Sequence, residues 1–340
     1  MSTCLAPAFQ SASERGRTGS KLGGEAAGDA GQVGSASGVY PTASTTNLSY
    51  PVVMSAVTRA AGLVPTTTLP DGEPVPVLGQ GTWHMAEDPS RRRSEITALR
   101  TGLDLGLSLI DTAELYADGA AEELVGEAIR GRRDEVFLVS KVLPEHATRS
   151  GTVAACERSL GRLGTDRLDL YLLHWREDIS LEWTLEGFRD LVRRGLIRNW
   201  GVSNFGIADM EQLERLPGGT AVATDQVLYN LTRRGIEWDL LPWCRSRRIP
   251  IMAYSPIEQG RMLKDPVLKR IAQRLNATPA QVALAWLLRQ ELLIAIPKAS
   301  TPGHVRENHG ALDIRFSERD LAELDRVFPP PDGPQPLEML

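Results

Sequence analysis

Cysteine is scarce in this chain of 340 residues, and the three cysteines are far apart. They are Cys4, Cys156 and Cys244, and no two of them form a C-x-x-C pair. A disulfide framework needs an even set of cysteines, and the common zinc sites need paired ones. We therefore expect no disulfides and no metal centre, and we expect the protein to work in a reducing compartment, the cytoplasm.

Long apolar runs and clustered positive charge are also missing. No apolar run approaches the ~20 residues that span a bilayer, so we expect no membrane segment. The formal net charge of -5 at pH 7 is mild, and the basic residues form no stripe or block that would attract nucleic acid. Since nothing in the sequence signals an interface, we expect a monomer whose partner is a small molecule.

The first 65 residues lack hydrophobic periodicity. Roughly half of them are Ala, Gly, Ser or Thr, a composition that buries too little apolar surface to order itself. They also lack the compact apolar segment behind a basic start that marks a signal peptide. We expect residues 1–65 to be a disordered, low-complexity tail. A transit or regulatory peptide, or a start of translation at Met54, are the alternatives.

Beyond this tail, the sequence first predicts a hairpin and then a repeating unit. Asp71-Gly72 is a turn signal, and short extended stretches lie on both sides of it. Apolar runs then alternate with amphipathic helical patterns about every 30 residues, the length of one strand, one helix and two loops. The candidate strands end near Gly81, Asp111, Lys141, His174, Asn204, Gln226, Tyr254 and Lys298.

The apolar runs are continuous rather than alternating, as in residues 292–296, which suits parallel strands covered on both faces. Eight such units predict an α/β fold, a (β/α)8 TIM barrel over residues 66–330 with a short N-terminal β-hairpin and a C-terminal tail at 331–340. A doubly wound dinucleotide-binding sheet is the rival fold. It requires a third glycine in the motif that starts at Gly79, and Trp83 is too bulky where backbone must approach a pyrophosphate.

Four reactive side chains follow or end three consecutive predicted strands. They are Asp111, Tyr116, Lys141 and His174. Taken singly, each has an ordinary structural interpretation: a cap, an ion-pair partner, a surface aromatic and a core histidine. Because sites in this barrel lie at the C-terminal ends of the strands, the four side chains should instead meet at one rim.

Together the four residues suit proton transfer to a carbonyl oxygen. A free tyrosine has a pKa of ~10, and an adjacent lysine ammonium lowers the pKa of the phenol. Asp111 would keep Lys141 charged in a buried site, and His174 would hydrogen-bond the substrate oxygen. We therefore expect Tyr116 to be an acidified proton donor to an oxygen that becomes an alkoxide when hydride adds to the carbon.

The same four residues, with their spacing, resemble the catalytic tetrad of the aldo-keto reductases. The motifs around them, at residues 106–113, 163–175, 201–205 and 296–300, are also similar to those of that family. The resemblance extends over nearly all of the predicted barrel. Residues 81–85, 116–120 and 239–244 most resemble the bacterial methylglyoxal reductases, which implies reduction of small α-oxoaldehydes and other aldehydes with NADPH.

The resemblance also implies where the cofactor binds. Tyr254 would stack on the nicotinamide, and Ser203, Asn204 and Gln226 would hydrogen-bond its carboxamide. The remaining contacts would come from the turn that holds the pyrophosphate (Ser255, Pro256 and Ile257), the site of the adenosine 2′-phosphate (Lys298, Ser300 and Thr301) and the adenine contacts (Glu307 and Asn308). Thr301-Pro302 independently predicts a helix start, whose free N–H groups suit an anion.

One position departs from the family pattern. Many aldo-keto reductases have an arginine where this chain has His304, and an arginine clamps a phosphate with several fixed donors, whereas neutral histidine offers one. We expect NADPH to remain the preferred cofactor because Lys298 is present, with NADH as a weaker alternative. The advantage of NADPH over NADH should be smaller than in relatives that have the arginine.

Two tryptophans complete the expected pocket. Trp83 and Trp175 are similar to pocket-lining residues of the family, and an aromatic wall with few charges favours small or aromatic aldehydes over charged sugars. Two other functions stay open from the sequence. One is an NADPH-binding regulatory or sensor barrel with little turnover, and the other is an isomerase or aldolase on the same fold.

Overall fold

The computed structural model describes residues 64–340 of the chain. The tail expected at residues 1–65 therefore lies outside the described residues except for its last two positions, and Met54 lies outside them as well. All helices and strands described below fall between residues 66 and 327.

A two-stranded antiparallel hairpin precedes the barrel, as the sequence predicted. Strand β1 (Thr66–Thr68) pairs with β2 (Pro74–Pro76). The turn between them contains Gly72 at a φ of 94°, a left-handed conformation that glycine adopts without a steric penalty. Leu69 and Val75 of the hairpin are buried in the same apolar cluster as the side chains that fill the barrel. The hairpin therefore packs against the interior of the barrel.

Eight parallel strands form a single sheet that curls back on itself, and their order in the sheet is their order in the chain. The strands are β3 (Gln80–Gly81), β4 (Leu109–Asp111), β5 (Phe137–Val142), β6 (Leu168–Leu173), β7 (Ile197–Ser203), β8 (Asp225–Leu228), β9 (Ile251–Tyr254) and β10 (Leu293–Ala295). The Gly79 N–H donates to the Ala295 carbonyl over 2.9 Å and the Gly81 N–H donates to that of Pro297 over 3.1 Å. These bonds join the first and last strands, and the predicted barrel is confirmed.

Gly81 is needed at this closure because the backbones approach closely. A Cβ atom at this position would lie 2.7 Å from the carbonyl oxygen of Ile296, well inside van der Waals contact. A side chain there would therefore push the first strand away from the last.

Helices cover the outside of the sheet, and each barrel strand is followed by at least one. They are α1 (Arg92–Asp104), α2 (Ala120–Ala128), α3 (Arg149–Leu163), α4 (Leu181–Arg193), α5 (Ile207–Arg215), α6 (Leu240–Ser246), α7 (Pro266–Arg274), α8 (Pro279–Leu288), α9 (Pro302–Gly310) and α10 (Glu318–Val327). Thr278 and Gln281 form a capping box at the start of α8, and Ser317 and Asp320 form another at the start of α10. Each such cap satisfies N–H groups that a helix start leaves free.

The core has the two layers that a barrel requires. The inner layer fills the barrel with side chains such as Leu109, Val139, Leu172 and Ile294. The outer layer packs the opposite strand faces against the helices. Since both faces of each strand are covered, the strands contain the continuous apolar runs that the sequence shows.

Candidate active site

The barrel places three of the four reactive residues at the C-terminal ends of neighbouring strands. Asp111 is the last residue of β4, Lys141 is the penultimate residue of β5, and His174 directly follows β6. Tyr116 begins a 3₁₀ turn in the loop after β4. The parallel register sets Asp111 beside Val139 and Lys141 beside Leu172. As a result, Asp111 and His174, which are 63 positions apart in the chain, lie at the same rim.

Lys141 is the centre of the cluster and has no exposed surface. Its Nζ donates to both carboxylate oxygens of Asp111 over 2.8 Å, to the Thr112 carbonyl over 2.9 Å and to the Tyr116 hydroxyl over 3.1 Å. Burial alone would lower the pKa of Lys141, but the charge of Asp111 and the Tyr116 hydroxyl outweigh that effect and raise it. The lysine is therefore an ammonium ion near neutral pH.

The phenol of Tyr116 differs from the expectation based on sequence. Loss of solvent around the ring raises the pKa of Tyr116 above its ordinary value, and the Lys141 ammonium opposes this rise without cancelling it. The lysine thus acts in the predicted direction, but the prediction of a net acidified phenol is wrong. Tyr116 holds its proton at neutral pH and has a hydroxyl that can donate.

His174, which directly follows β6, faces Tyr116 in the loop after β4. The two rings meet edge to face with centroids 5.7 Å apart. Burial, and then the nearby Lys141 charge, hold the pKa of His174 well below its ordinary value, so the imidazole is neutral at physiological pH. Its Nδ1 is buried without a hydrogen-bond partner, a position that a polar ligand group could satisfy.

A hydrogen-bond network connects this cluster to residues expected to bind the nicotinamide. The Gln226 side-chain amide donates to Asp111 Oδ1 over 2.8 Å. The Tyr254 hydroxyl donates to Asn204 Oδ1 over 2.8 Å, and Asn204 Nδ2 donates to Ser203 Oγ over 3.1 Å. The carboxylate that anchors the lysine therefore lies one hydrogen bond from a predicted cofactor residue.

A cavity of about 430 Å³ opens at this rim. Asp111, Tyr116 and His174 line it, and so do Trp83 and Trp175. The predicted cofactor residues that line the same cavity are Ser203, Asn204, Gln226, Tyr254, Ser255, Pro256, Ile257 and Lys298. The cavity has the size and the mixed apolar and polar walls typical of small-molecule sites.

The other predicted cofactor residues lie beside the cavity at the start of α9. Thr301 caps this helix by accepting a hydrogen bond from the His304 N–H over 3.3 Å, and His304 itself is exposed. The Ser300 hydroxyl is buried without a hydrogen-bond partner. Farther along α9, Asn308 is buried, and the Glu307 carbonyl accepts from Gln281. A helix N-terminus and an unpaired hydroxyl near Lys298 suit a phosphate group.

Several residues of the cavity wall were not predicted to belong to the site, among them His84, Met339 and Leu340. Met339 and Leu340, assigned only to a C-terminal tail, line the cavity. His84 also lines it, with its ring stacked on Trp83 and its Nδ1 2.6 Å from Glu87 Oε1. The one available signal for the tail was an apolar pair after a segment rich in proline.

Within residues 64–340 no group of three or more His, Cys, Asp or Glu side chains is arranged to hold a metal ion. None of the helices over this range is both long and apolar enough to cross a membrane.

Comparison with known proteins gives consistent results. The family model described as "Aldo/keto reductase family" matches residues 77–328. Methylglyoxal reductase YeaE of Escherichia coli (strain K12) is 52% identical over 271 residues, which cover 78% of this chain and 95% of the relative. Glyoxal reductase of Bacillus subtilis (strain 168) is 34% identical, with 78% and 96% covered.

A solved structure extends the similarity to three dimensions. The crystal structure of an aldo/keto reductase from Klebsiella pneumoniae, in complex with NADP and acetate, is 50% identical in sequence and superposes with a TM-score of 0.79. The match covers 81% of this chain and 99% of that one.

Proposed function

The chain belongs to the aldo/keto reductase family, and from this premise we propose that it is an NADPH-dependent reductase that converts small aldehydes and ketones to alcohols. The observation that carries the proposal is the contact of Lys141 with both Asp111 and Tyr116 at the wall of the cavity. Such a cluster has a neutral proton donor and a fixed positive charge beside it, both of which a developing alkoxide requires.

NADPH, when bound, would supply the hydride to the carbonyl carbon. Tyr116 would donate its proton to the carbonyl oxygen, and Lys141 would stabilise the phenolate that remains. The neutral His174 would hydrogen-bond the same oxygen and orient it. General acid catalysis of this kind contributes typically 10²- to 10⁴-fold to a rate. The alkoxide is a much stronger base than a phenolate, so a tyrosine of raised pKa can still protonate it.

The chain has the groups needed to hold the cofactor. The buried, unpaired Ser300 hydroxyl and the N-terminus of α9 fit the 2′-phosphate of NADPH. Lys298 would supply the cation, and Thr301 and His304 would lie at the edge of this phosphate site. Glu307 and Asn308 would contact the adenine, and the turn after β9 would hold the pyrophosphate. Ser203, Asn204 and Gln226 would bind the carboxamide, and Tyr254 would stack on the nicotinamide ring.

The proposed substrates are small α-oxoaldehydes, such as methylglyoxal, and aromatic aldehydes. Trp83 and Trp175 would form the aromatic wall, with Met339 and Leu340 as apolar contacts on the tail. The relatives named methylglyoxal reductase and glyoxal reductase support this substrate class. We further propose a cytoplasmic monomer, whose barrel occupies residues 66–330 and whose tails are residues 1–65 and 331–340.

The test is turnover by the purified protein. With methylglyoxal or a nitrobenzaldehyde present, NADPH absorbance should fall with stoichiometric formation of the alcohol. Tight NADPH binding without turnover of either aldehyde would instead support the regulatory barrel. An aldolase or isomerase would act on its substrate with no NADPH present. The buried pairing of Lys141 with Asp111 disfavours Schiff-base chemistry, because it keeps the amine protonated.

A further inference from the structure

Asp225 is a buried acid that the proposed mechanism does not use. It is the first residue of β8 and has no exposed surface. Because side chains alternate along a strand, Gln226 points into the barrel toward Asp111, whereas Asp225 points outward toward the loop after β7. Its Oδ1 lies 3.5 Å from the backbone N–H of Phe205, and its Oδ2 has no hydrogen-bond partner.

Among the described residues, Asp225 has no cation to compensate a negative charge. Across residues 64–340 no lysine, arginine or histidine forms an ion pair with it. The titratable groups that interact electrostatically with it are Asp209 from α5, Cys244 from α6 and Tyr254 from β9. None of these is a cation. Burial, and secondarily the charge of Asp209, raise the pKa of Asp225 well above its ordinary value, although the Phe205 N–H opposes the rise.

The carboxyl group lies directly behind the turn at residues 203–206. Asn204 in this turn has a φ of 60°, a left-handed conformation that is uncommon for residues with a side chain and that asparagine adopts more readily than most. The Ser203 hydroxyl and the Asn204 N–H both donate to the Gln226 carbonyl, over 2.8 and 2.9 Å. The Phe205 N–H is directed to Asp225. The first two residues of β8 therefore hold three consecutive residues of the turn.

We propose that Asp225 is a positioning residue that works as a neutral carboxylic acid, holding the 203–206 turn in the shape that receives the nicotinamide carboxamide. The inference rests on the proposed function, since the role of the turn is to bind NADPH. A neutral acid is required because an unpaired carboxylate in this enclosure has no cation to offset its lost hydration. The acid also presents a carbonyl oxygen to the Phe205 N–H, as an amide would.

The neutral form can be tested without NADPH. An acid that stays protonated only in the folded state makes folding less favourable as pH rises above the unfolded-state pKa of ~3.9. The unfolding equilibrium constant of wild type should therefore rise about tenfold per pH unit between pH 5 and 7, and Asp225→Asn removes this rise. The ratio of the unfolding constant of Asp225→Asn to that of wild type should thus fall about tenfold per pH unit. The control Asp313→Asn, at an exposed carboxylate, should give a ratio that does not vary with pH.

The positioning role is tested by NADPH binding at pH 7, measured by fluorescence titration. Asp225→Asn should bind within about twofold of wild type, whereas Asp225→Leu, which has no acceptor for Phe205, should bind about tenfold more weakly. The loss should lie in KM for NADPH rather than in kcat.

The outcomes separate the two proposals. Equal losses in Asp225→Asn and Asp225→Leu, or a pH-independent stability ratio for Asp225→Asn, would show that the carboxylate is ionised and overturn the inference. Wild-type affinity in Asp225→Leu would overturn the positioning role. A wild-type protein that binds no NADPH would refute the proposed function, while the stability ratio would still report the protonation state of Asp225.

Discussion

The ammonium nitrogen of Lys141 lies 3.1 Å from the Tyr116 hydroxyl oxygen and 4.8 Å from the centroid of the tyrosine ring. The lysine reaches this position because Asp111 holds it through two hydrogen bonds. A buried cation thus stands beside the proposed proton donor, and its charge depends on one carboxylate.

Asp111→Asn should destabilise the fold strongly. The change leaves Lys141 buried without a counter-charge, and breaking a buried ion pair on one side costs about 3–5 kcal/mol. Chemical denaturation of the variant measures the loss. The double variant Asp111→Asn with Lys141→Met removes the orphan charge and should recover most of the stability, but not the activity. Equal stability of wild type and Asp111→Asn would mean that the pair is not a structural requirement.

The pH dependence of kcat/KM should be flat across the neutral range. The pKa of His174 is lowered, so the histidine is already neutral at about pH 6, where an ordinary histidine would still be largely protonated. The pKa of Tyr116 is raised, so the phenol should lose its proton only above pH ~10. Initial rates measured from pH 6 to pH 10 test both directions. An alkaline decline centred below pH 9 would show that the lysine makes the phenol a net stronger acid.

His304→Arg should increase the preference for NADPH. The exposed His304 lies in the first turn of α9, where an arginine would add a charge-assisted hydrogen bond to a phosphate. The ratio of kcat/KM for NADPH to that for NADH should rise about tenfold in the variant. Wild type should prefer NADPH by less than several hundredfold. A wild-type preference for NADH would overturn the assignment of the phosphate site.

Trp83→Ala should reduce kcat/KM for a nitrobenzaldehyde more than for methylglyoxal. A large aromatic aldehyde loses a stacking partner worth about 0.5–1.5 kcal/mol, whereas a three-carbon aldehyde contacts the wall less. Trp183→Ala, at an exposed tryptophan outside the cavity, is the matched control and should change neither value. Equal losses for both aldehydes would mean that Trp83 supports the loop rather than the substrate.

The sequence predicted the barrel and the meeting of the four reactive residues because both depend on local patterns. A polar residue that ends an apolar run is placed at the rim by the strand itself, as Asp111 and Tyr254 are. The end of the last strand was less accurate: β10 stops at Ala295, three residues before Lys298. Pro297 has no N–H to donate to the ladder, so regular pairing ends before it.

Three features of the protein could not be read from local patterns. The net pKa shift of Tyr116 depends on how much solvent the folded chain removes from the ring, a quantity that no spacing of residues gives. The return of Met339 and Leu340 to the cavity is also a tertiary contact, made by a segment without helical or strand periodicity. Asp225 was overlooked because its isolation from cations is visible only in the packed structure.

The variant Tyr116→Phe shows whether Tyr116 supplies the proton. The substitution removes the hydroxyl alone, so NADPH should bind with an affinity within about twofold of wild type. NADPH oxidation in the presence of methylglyoxal should fall by at least about a hundredfold, since the general acid is lost. Turnover close to that of wild type, with cofactor binding intact, would contradict the account, because the proton would then have to come from another group.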